Sequence, residues 1–184
     1  MARYVVTGAN RGVGLEFARQ LSARGDEVIA LCRKTSEELA SFDGVSIIEN
    51  VELRVPKSFA SLTDVIGGEI DVLINNAGVL RNDDISELDF ESISMQLQIN
   101  AIAPLALVAA LKSRFSNGAK VSMITSRMGS MADNGSGGYY GYRMSKAALN
   151  AAGVSMANDL KPKGIAVGIF HPGFVQTEMV NGAG

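Results

Sequence analysis

Short apolar segments alternate with longer amphipathic segments along this chain of 184 residues. The strand candidates are brief and several are rich in valine or isoleucine, which is typical of buried parallel strands. They occupy Arg3–Thr7, Glu27–Leu31, 46–49, 72–75, 120–125 and 165–170. The helix candidates occupy 13–23, 36–41, 58–66, 86–115, with a break near Pro104, and 142–160. This alternation predicts right-handed βαβ crossovers and therefore an α/β fold, in which a doubly wound parallel sheet carries helices on both faces.

The composition fits one globular domain. Hydrophobic residues make up 47% of the chain and no repeat or linker divides it, so we expect a single domain over residues 1–184. The net charge of -2 and the pI near 5.5 give no support to the basic face that a nucleic-acid-binding protein normally shows. We therefore expect a small-molecule partner and no nucleic acid.

The sequence also favours a cytoplasmic protein without a membrane segment. Its single cysteine, Cys32, cannot form an internal disulfide, and no signal-peptide pattern precedes the first strand candidate. The longest apolar run, at 101–111, contains Pro104 and is shorter than the ~20 residues that a bilayer-spanning helix needs. We expect this run to be a buried helix.

A glycine-rich turn follows the first strand candidate. Gly8, Gly12 and Gly14 would let the backbone turn tightly and approach a pyrophosphate at the amino end of the next helix. Their GxxxGxG spacing differs from the GxGxxG of many dinucleotide-binding folds, and an ordinary glycine-rich turn is the alternative. The position between a strand and a helix favours a Rossmann-like, nucleotide-binding fold.

Tyr142 and Lys146 stand four residues apart in the last helix candidate. This spacing puts both side chains on one helical face, where the ammonium would favour the ionised phenol and lower its pKa from about 10. Tyr139 and Tyr140 are alternatives, but neither has a lysine four residues later. With a hydride carrier bound, such a pair could transfer the proton in a carbonyl reduction.

Five ordered motifs give the chain a resemblance to the short-chain dehydrogenase/reductase family. They are TGANRGVG at 7–14, NNAG at 75–78, TSRMG at 125–129, YRMSK at 142–146 and PGFVQT at 172–177. The resemblance covers nearly the whole chain. Within the family, the runs at 126–130 and 139–146 resemble the C-factor and sniffer-like carbonyl reductase branch.

The resemblance implies a catalytic set of Asn100, Ser126, Tyr142 and Lys146. In the family, the asparagine helps to hold a water in a proton relay and the serine orients the substrate oxygen. The tyrosine transfers the proton, and the lysine binds the nicotinamide ribose besides acidifying the tyrosine.

The residues alone leave other interpretations of this set open. Asn100 could satisfy backbone groups where the long helix bends, and Ser126 could close a strand-end turn. Alternative hydroxyl groups belong to Ser122, Thr125 and Ser130. His171, the sole histidine, is an alternative general base.

The resemblance also implies a cofactor site and no metal site. The implied cofactor-binding residues are Gly8, Asn10, Arg11, Gly12, Val13, Gly14, Arg33, Glu52, Leu53, Asn76, Ala77, Gly78, Tyr142, Lys146, Pro172, Gly173, Val175 and Thr177. Of these, Glu52 and Leu53 stand near where the family usually carries an aspartate followed by an apolar residue beside the adenine.

The end of the second strand bears on the choice of cofactor. An acidic residue there repels a 2′-phosphate, whereas an arginine accommodates it. This chain has Arg33 at that point, and Arg11 resembles the second basic position of NADP-preferring members. Two guanidinium groups could hold one phosphate, so we expect NADP(H) to be preferred over NAD(H).

The resulting hypothesis is an NADPH-dependent oxidoreductase that reduces an aldehyde or ketone to an alcohol, or catalyses the reverse reaction, with Tyr142 as general acid/base. The alternative is a dinucleotide-binding sensor or C-factor-like signalling protein with little turnover. The resemblance suggests a homodimer or homotetramer paired through 101–111 and 147–156, although these stretches could equally pack inside one subunit. The family usually continues past the PGFVQT segment, so we expect this chain, ending at 181–184, to lack the last helix and strand and much of the substrate-covering region.

Overall fold

The centre of the computed structural model, which describes residues 1–177, is a sheet of six parallel strands. The strands are β1 (Arg3–Thr7), β2 (Glu27–Leu31), β3 (Val45–Ile48), β4 (Ile70–Asn75), β5 (Phe115–Ile124) and β6 (Ala166–Phe170). Their order across the sheet is β3-β2-β1-β4-β5-β6, which is the order of doubly wound dinucleotide-binding folds. The predicted α/β fold is therefore confirmed, while the predicted chain end at 181–184 lies outside the described residues.

Successive residues of each central strand pack into different cores, one on each face of the sheet. Val5 and Leu73 belong to the core on the side of the long helices, where Leu107 and Leu149 also lie. The next residue of β1 and of β4 turns to the opposite face and packs with α1 and its neighbours. A strand whose side chains are buried alternately on both faces must be apolar along its whole length, which explains the continuous valine and isoleucine runs.

Helices cover both faces, as expected. They are α1 (Gly12–Ala23), α2 (Glu37–Ala40), α3 (Leu62–Ile66), α4 (Phe90–Leu97), α5 (Ala103–Leu111) and α6 (Tyr140–Leu160). Local signals set several of their starts: the Ser36 hydroxyl accepts the Leu39 N–H at α2, and the Asp89 carboxylate accepts two N–H groups at the start of α4.

The segment predicted as one helix over 86–115 differs from the prediction at both ends and in its middle. It begins after the cap at Asp89 and ends at Leu111, because the chain turns at Arg114 and enters β5 at Phe115. Pro104 does not break it. Instead, one π-helical turn at Gln98–Ile102 joins α4 to α5.

By length and hydropathy alone, the continuous helical run Phe90–Leu111 could cross a membrane. Half of its most apolar window is buried inside the protein, and Leu107 and Leu111 are almost fully buried in the core. We interpret the run as a core helix, as the sequence predicted for 101–111.

The strand order reverses its direction between β1 and β4. The chain leaves β1 toward β2 on one side, whereas β4 and the later strands lie on the other side. At such a switch point the connections diverge, and a crevice opens at the carboxyl ends of the strands. The glycine turn after β1, the NNAG segment after β4 and Ser126 after β5 all emerge at this edge.

Candidate active site

A cleft of about 740 Å³ lies along the carboxyl edge of the sheet. Nearly all the predicted site residues line it, including Ser126, Tyr142 and Lys146. Of the predicted set, Gly14 and Asn100 do not line it. Both lie behind the residues that form its wall.

The three glycines of the first turn meet two different steric demands. Gly8 and Gly12 have φ angles of +65° and +54°, which side-chain-bearing residues rarely adopt. Gly14 lies inside α1, where a Cβ atom would come within 2.2 Å of the Gly8 carbonyl oxygen and 2.5 Å of Asn76 Nδ2. Gly14 therefore acts by letting α1 pack against the turn, not by touching a ligand.

The NNAG segment is hydrogen-bonded to the end of β1. The Thr7 hydroxyl accepts the backbone N–H groups of Asn76 and Ala77, both at 3.0 Å. Asn76 Nδ2 in turn donates to the carbonyl oxygen of Thr7 at 3.0 Å. These bonds hold the turn after β1 and the NNAG segment after β4 together beside the switch point.

The amino end of α1 is open to an anion. Within the described residues, no side chain caps this helix and its first turn contains no acidic residue. Arg11 stands at its N-cap position and lines the cleft beside Asn10 and Val13. The backbone N–H groups of the first helical turn and the positive end of the helix dipole therefore fit a pyrophosphate.

The far end of the cleft is formed by residues that follow β2 and β3. Arg33 is exposed there, and Glu52 and Leu53 line the wall as predicted. Sequence reasoning missed Cys32 and Val51, which are buried and line the same end. The Val51 N–H donates to the Cys32 carbonyl oxygen at 3.1 Å, which holds the two residues together. In the sequence, the apolar side chain of Val51 was the one sign that it could line a binding cleft.

Tyr142 and Lys146 face the cleft from the first two turns of α6. The lysine amine lies 5.7 Å from the centre of the tyrosine ring and donates a hydrogen bond to the carbonyl oxygen of Ile124 at 2.9 Å. Ser126, which follows β5, lines the cleft beside the tyrosine, and its hydroxyl is near enough to lower the pKa of the phenol. The Ser126 hydroxyl also accepts the Met128 N–H at 3.2 Å, which fixes it at the strand end.

Burial dominates the protonation of this pair. It raises the pKa of Tyr142, and the nearby Ser126 hydroxyl only partly opposes this shift. Burial also lowers the pKa of Lys146 to about 8. The predicted lowering of the Tyr142 pKa by Lys146 is therefore wrong for this structure, because the amine is desolvated and directed at a carbonyl group.

Asn100 lies in the π-helical turn, is fully buried and is saturated by protein groups. Its side chain accepts the N–H of Val79 and donates to the carbonyl oxygen of the same residue, both at 2.8 Å. It also donates to the Ser145 hydroxyl at 2.9 Å, and that hydroxyl donates to the Tyr142 carbonyl oxygen. Asn100 thus holds the loop after the NNAG motif against α6, which corresponds to the backbone-satisfying interpretation rather than to a contact with the cleft.

Asp83 is a site residue that sequence reasoning missed. Its buried carboxylate accepts the N–H groups of Tyr140, at 2.5 Å, and Gly141, while its carbonyl oxygen accepts the N–H of Tyr139. The loop after β4 therefore caps the helix that carries Tyr142 and Lys146. Only the fold brings Asp83 to a helix start 57 residues away, so no local pattern could have shown it.

The remaining candidates lie close by in different settings. Tyr139 and His171 line the cleft, as do Pro172, Gly173 and Val175, with Thr177 near Gly12. The Thr125 hydroxyl donates to Asn150 Oδ1 at 2.6 Å, and the Ser130 hydroxyl accepts the Asp133 N–H. Among the described residues, Ser126 is the one of the four candidate hydroxyls that affects the pKa of Tyr142.

Taken together, the cleft fits a nicotinamide dinucleotide. The glycine turn and the uncapped helix suit the pyrophosphate, and Lys146 and Tyr142 lie where the strands β4 and β5 end. Arg11, Arg33 and Val51 lie at the opposite end, near β1, β2 and β3.

Two curated relatives resemble the chain closely enough to compare. It is 37% identical over 182 residues to the 1-hydroxy-2-glutathionyl-2-methyl-3-butene dehydrogenase of Rhodococcus sp. (strain AD45), which covers 97% of this chain and 80% of the relative. It is 46% identical over 123 residues to the C-signal protein of Myxococcus xanthus, which covers 65% of this chain and 74% of that protein.

Solved structures lead to the same group of proteins. The NADPH-bound carbonyl reductase from chicken fatty liver superposes with a TM-score of 0.89 at 29% identity, covering 97% of this chain and 82% of that chain. The family model for short chain dehydrogenases matches residues 3–184. The chain is therefore a member of the short-chain dehydrogenase family, whose oxidoreductase members include carbonyl reductases.

Proposed function

We propose that this protein is an NADPH-dependent oxidoreductase that reduces an aldehyde or ketone to an alcohol, or catalyses the reverse reaction. The observation that carries the proposal is that the side chains of Ser126, Tyr142 and Lys146 line the same cleft, with the lysine amine 5.7 Å from the centre of the tyrosine ring. A bound reduced nicotinamide would supply the hydride in this reaction.

Tyr142 is the proton donor in this proposal. Burial keeps its pKa above the ordinary tyrosine value, so the phenol remains protonated at neutral pH and can donate to a carbonyl oxygen as negative charge develops there. Ser126 orients the same oxygen by hydrogen bonding. In the oxidative direction the phenol must give up its proton first, which the raised pKa disfavours.

Lys146 and Asn100 hold Tyr142 in position through contacts with α6. The lysine amine holds the start of α6 against the end of β5 and would provide a cation for the ribose of a bound nicotinamide. Asn100 fixes the backbone of Tyr142 through Ser145. Neither group needs to move for the proton transfer, which is the preorganised arrangement that favours catalysis.

The proposed preference for NADP(H) rests on Arg11 and Arg33. Both line the cleft, on loops that follow the neighbouring strands β1 and β2. Among the described residues the cleft wall contains one carboxylate, that of Glu52, and in the sequence no acidic residue follows β2 directly. The NADPH bound to the chicken carbonyl reductase supports the same choice by analogy.

The test is the variant Tyr142→Phe, which removes the phenolic hydroxyl with little change in shape. We expect the reduction of a panel of aldehydes, ketones and dicarbonyls to fall by about 10²-fold or more, while the affinity for NADPH changes little. Undiminished turnover would rule out Tyr142 as the proton donor.

A second candidate function is favoured by the similarity to C-signal. It is a dinucleotide-binding sensor or signalling protein with little turnover. Tight NADPH binding without oxidation of NADPH on the same broad panel would support the sensor. Turnover that disappears in Tyr142→Phe would support the reductase.

Cellular location and assembly remain proposals. We propose a cytoplasmic protein that acts as a homodimer or homotetramer paired through α5 and α6. Leu105 and Val154 are exposed apolar residues of these helices, with 45% and 57% of their surfaces accessible. Sedimentation of the purified protein tests the assembly, and a monomer at micromolar concentration would contradict it.

A further inference from the structure

The cleft is unusually rich in positive charge. Among residues 1–177, its lining contains five arginine and lysine side chains and one carboxylate, that of Glu52. The cations are Arg11, Arg33, Arg127, Arg143 and Lys146. A cleft lined by one sign of charge concentrates ligands of the opposite sign, so the position of each cation bears on what the cleft binds.

The cations fall into two groups at opposite ends of the cleft. Arg11 and Arg33 follow β1 and β2, whereas Arg127 and Arg143 belong to the segments after β5. The strands β2 and β5 are separated by β1 and β4. At about 4.8 Å per strand, β2 and β5 lie roughly 14 Å apart, so the two groups of cations stand at different parts of the cleft.

Arg127 is neutralised within the protein, but Arg143 is not. Arg127 forms an ion pair with Asp133 at 3.0 Å. Arg143 contacts only neutral acceptors: its Nε donates to the Gly138 carbonyl oxygen at 3.1 Å, and its Nη2 donates to Ser136 Oγ at 2.9 Å and to the Gly137 carbonyl oxygen at 3.3 Å.

The other terminal nitrogen of Arg143, Nη1, has no hydrogen-bond partner among residues 1–177 and is not among their buried unpaired atoms. It is thus open to solvent in a side chain whose remaining nitrogens are fixed by the loop. No carboxylate of the described residues lies within ion-pairing distance of this guanidinium.

We propose that Arg143 binds an anionic group of the substrate, so that the preferred substrates are carbonyl compounds that also carry a carboxylate or a group of similar charge. This inference rests on the proposed reductase function. Arg143 lines the same cleft as Tyr142, and its guanidinium is held on Ser136, which lines that cleft as well, so an anion bound at Nη1 belongs to a molecule that occupies the cleft of the phenol. Leu80 and Met128 line the cleft as well and provide apolar contacts for the connecting carbons.

The attraction would be stronger here than at an ordinary surface arginine. Arg143 is partly shielded from solvent, and its guanidinium is held by three hydrogen bonds, so little side-chain entropy remains to be lost on binding. A charge-assisted hydrogen bond in such a setting changes binding by about tenfold or more.

The experiment compares matched substrates that differ in one charge. Aldehydes with a terminal carboxylate, in a series of chain lengths, are paired with their methyl esters, and kcat/KM is measured for each with saturating NADPH. We expect one chain length at which the carboxylate is preferred over its ester by at least about tenfold. Added salt should reduce this ratio.

The variants Arg143→Gln and Arg143→Lys separate recognition from support of the loop. Loss of the loop contacts would affect both members of a pair, whereas loss of the anion contact affects only the carboxylate. We expect the ratio to fall to about one in Arg143→Gln and to be partly retained in Arg143→Lys. Arg114→Gln is the control, because it removes one positive charge at the amino ends of β4 and β5, far from the cleft.

The outcomes are distinct. Equal kcat/KM for acids and esters, a preference that survives in Arg143→Gln, or the same loss in Arg114→Gln would each overturn the role of Arg143 and leave the reductase function standing. Failure of every acid and ester to oxidise NADPH would overturn both proposals.

Discussion

The amine of Lys146 donates a hydrogen bond to the carbonyl oxygen of Ile124 at 2.9 Å, so that α6 is tied to the end of β5 by a buried cation. The Tyr142 ring lies on the same helix one turn earlier, 5.7 Å from that amine. This hydrogen bond fixes the positions of the catalytic candidates. It also keeps the positive charge of Lys146 in a poorly hydrated environment. Two kinds of measurement follow, one on stability and one on the geometry of the site.

The pH dependence of stability should report the burial of Lys146. Its pKa is lowered to about 8 in the folded protein, from the ordinary lysine value of 10.5. Below about pH 8 the amine is protonated in both states, and the folded state bears a desolvation cost on the order of 3 kcal/mol. Between about pH 8 and 10 the unfolded chain holds more protons, so this group makes the free energy of unfolding rise with pH.

The variant Lys146→Met should therefore gain stability relative to the wild type at pH 7 and lose this advantage as the pH rises toward 10. Urea unfolding at a series of pH values measures the difference, and Lys112→Met, which removes an exposed amine, is the matched control. A difference that does not change with pH would contradict the proposed desolvation of Lys146.

Removal of the Asp83 cap should lower both stability and turnover. In Asp83→Ala the first N–H groups of α6 lose their acceptor in a buried setting, which we expect to cost about 1–3 kcal/mol and to reduce kcat because Tyr142 is displaced. Asp89→Ala removes an equivalent cap from α4, which carries no catalytic candidate. We expect this control to lose about 1 kcal/mol with kcat retained, and an equal loss of kcat in both variants would contradict the positioning role of Asp83.

A methyl group at position 14 should disturb the cofactor site from behind. In Gly14→Ala the Cβ atom would lie 2.2 Å from the Gly8 carbonyl oxygen, so α1 must move away from the turn. We expect a stability loss of about 1–3 kcal/mol and NADPH binding weakened by about tenfold. Gly135→Ala is the matched control, since its Cβ meets no atom within 4 Å; titration of both variants with NADPH, followed by fluorescence, gives the comparison.

The choice between cofactors should depend on Arg33. In Arg33→Gln we expect the Kd for NADPH to rise by about tenfold, because a charge-assisted hydrogen bond to the 2′-phosphate is lost, while the Kd for NADH stays nearly constant. Calorimetric titration with both dinucleotides measures this. Equal affinity of the wild type for the two cofactors would show that Arg33 faces solvent without a role in selection.

The sequence predicted the elements whose signals are local. The bounds of β1 and β2 agree with the prediction residue for residue, because both strands are continuously apolar and bounded by turns. The start of β5 at Phe115 was missed, since Phe115 pairs with Ile70 and Lys120 with Val72, while residues 116–119 between them form an irregularity that has no strand pattern in the sequence.

For the site, the motifs identified the residues that line the cleft but not the forces between them. The spacing of Tyr142 and Lys146 predicted a shared face, yet the direction of the tyrosine pKa depends on burial and on the Ile124 carbonyl, which no spacing encodes. The environment of Asn100 likewise follows from the π-helical turn. A turn of this kind has no reliable sequence signature, so only the structure shows that the asparagine is enclosed.

That turn also sets how the two halves of the long helix are phased. Successive residues of an α-helix are rotated by about 100°, so an inserted residue shifts everything beyond it around the axis unless the backbone absorbs it locally. The wider π-helical turn at Gln98–Ile102 accommodates such an extra residue. As a result, α4 faces α6 while α5 keeps its own apolar side on the sheet. A one-residue deletion within this stretch would restore regular winding, swing Asn100 out of its enclosure and leave either the helix before it or the helix after it turned toward the wrong neighbour.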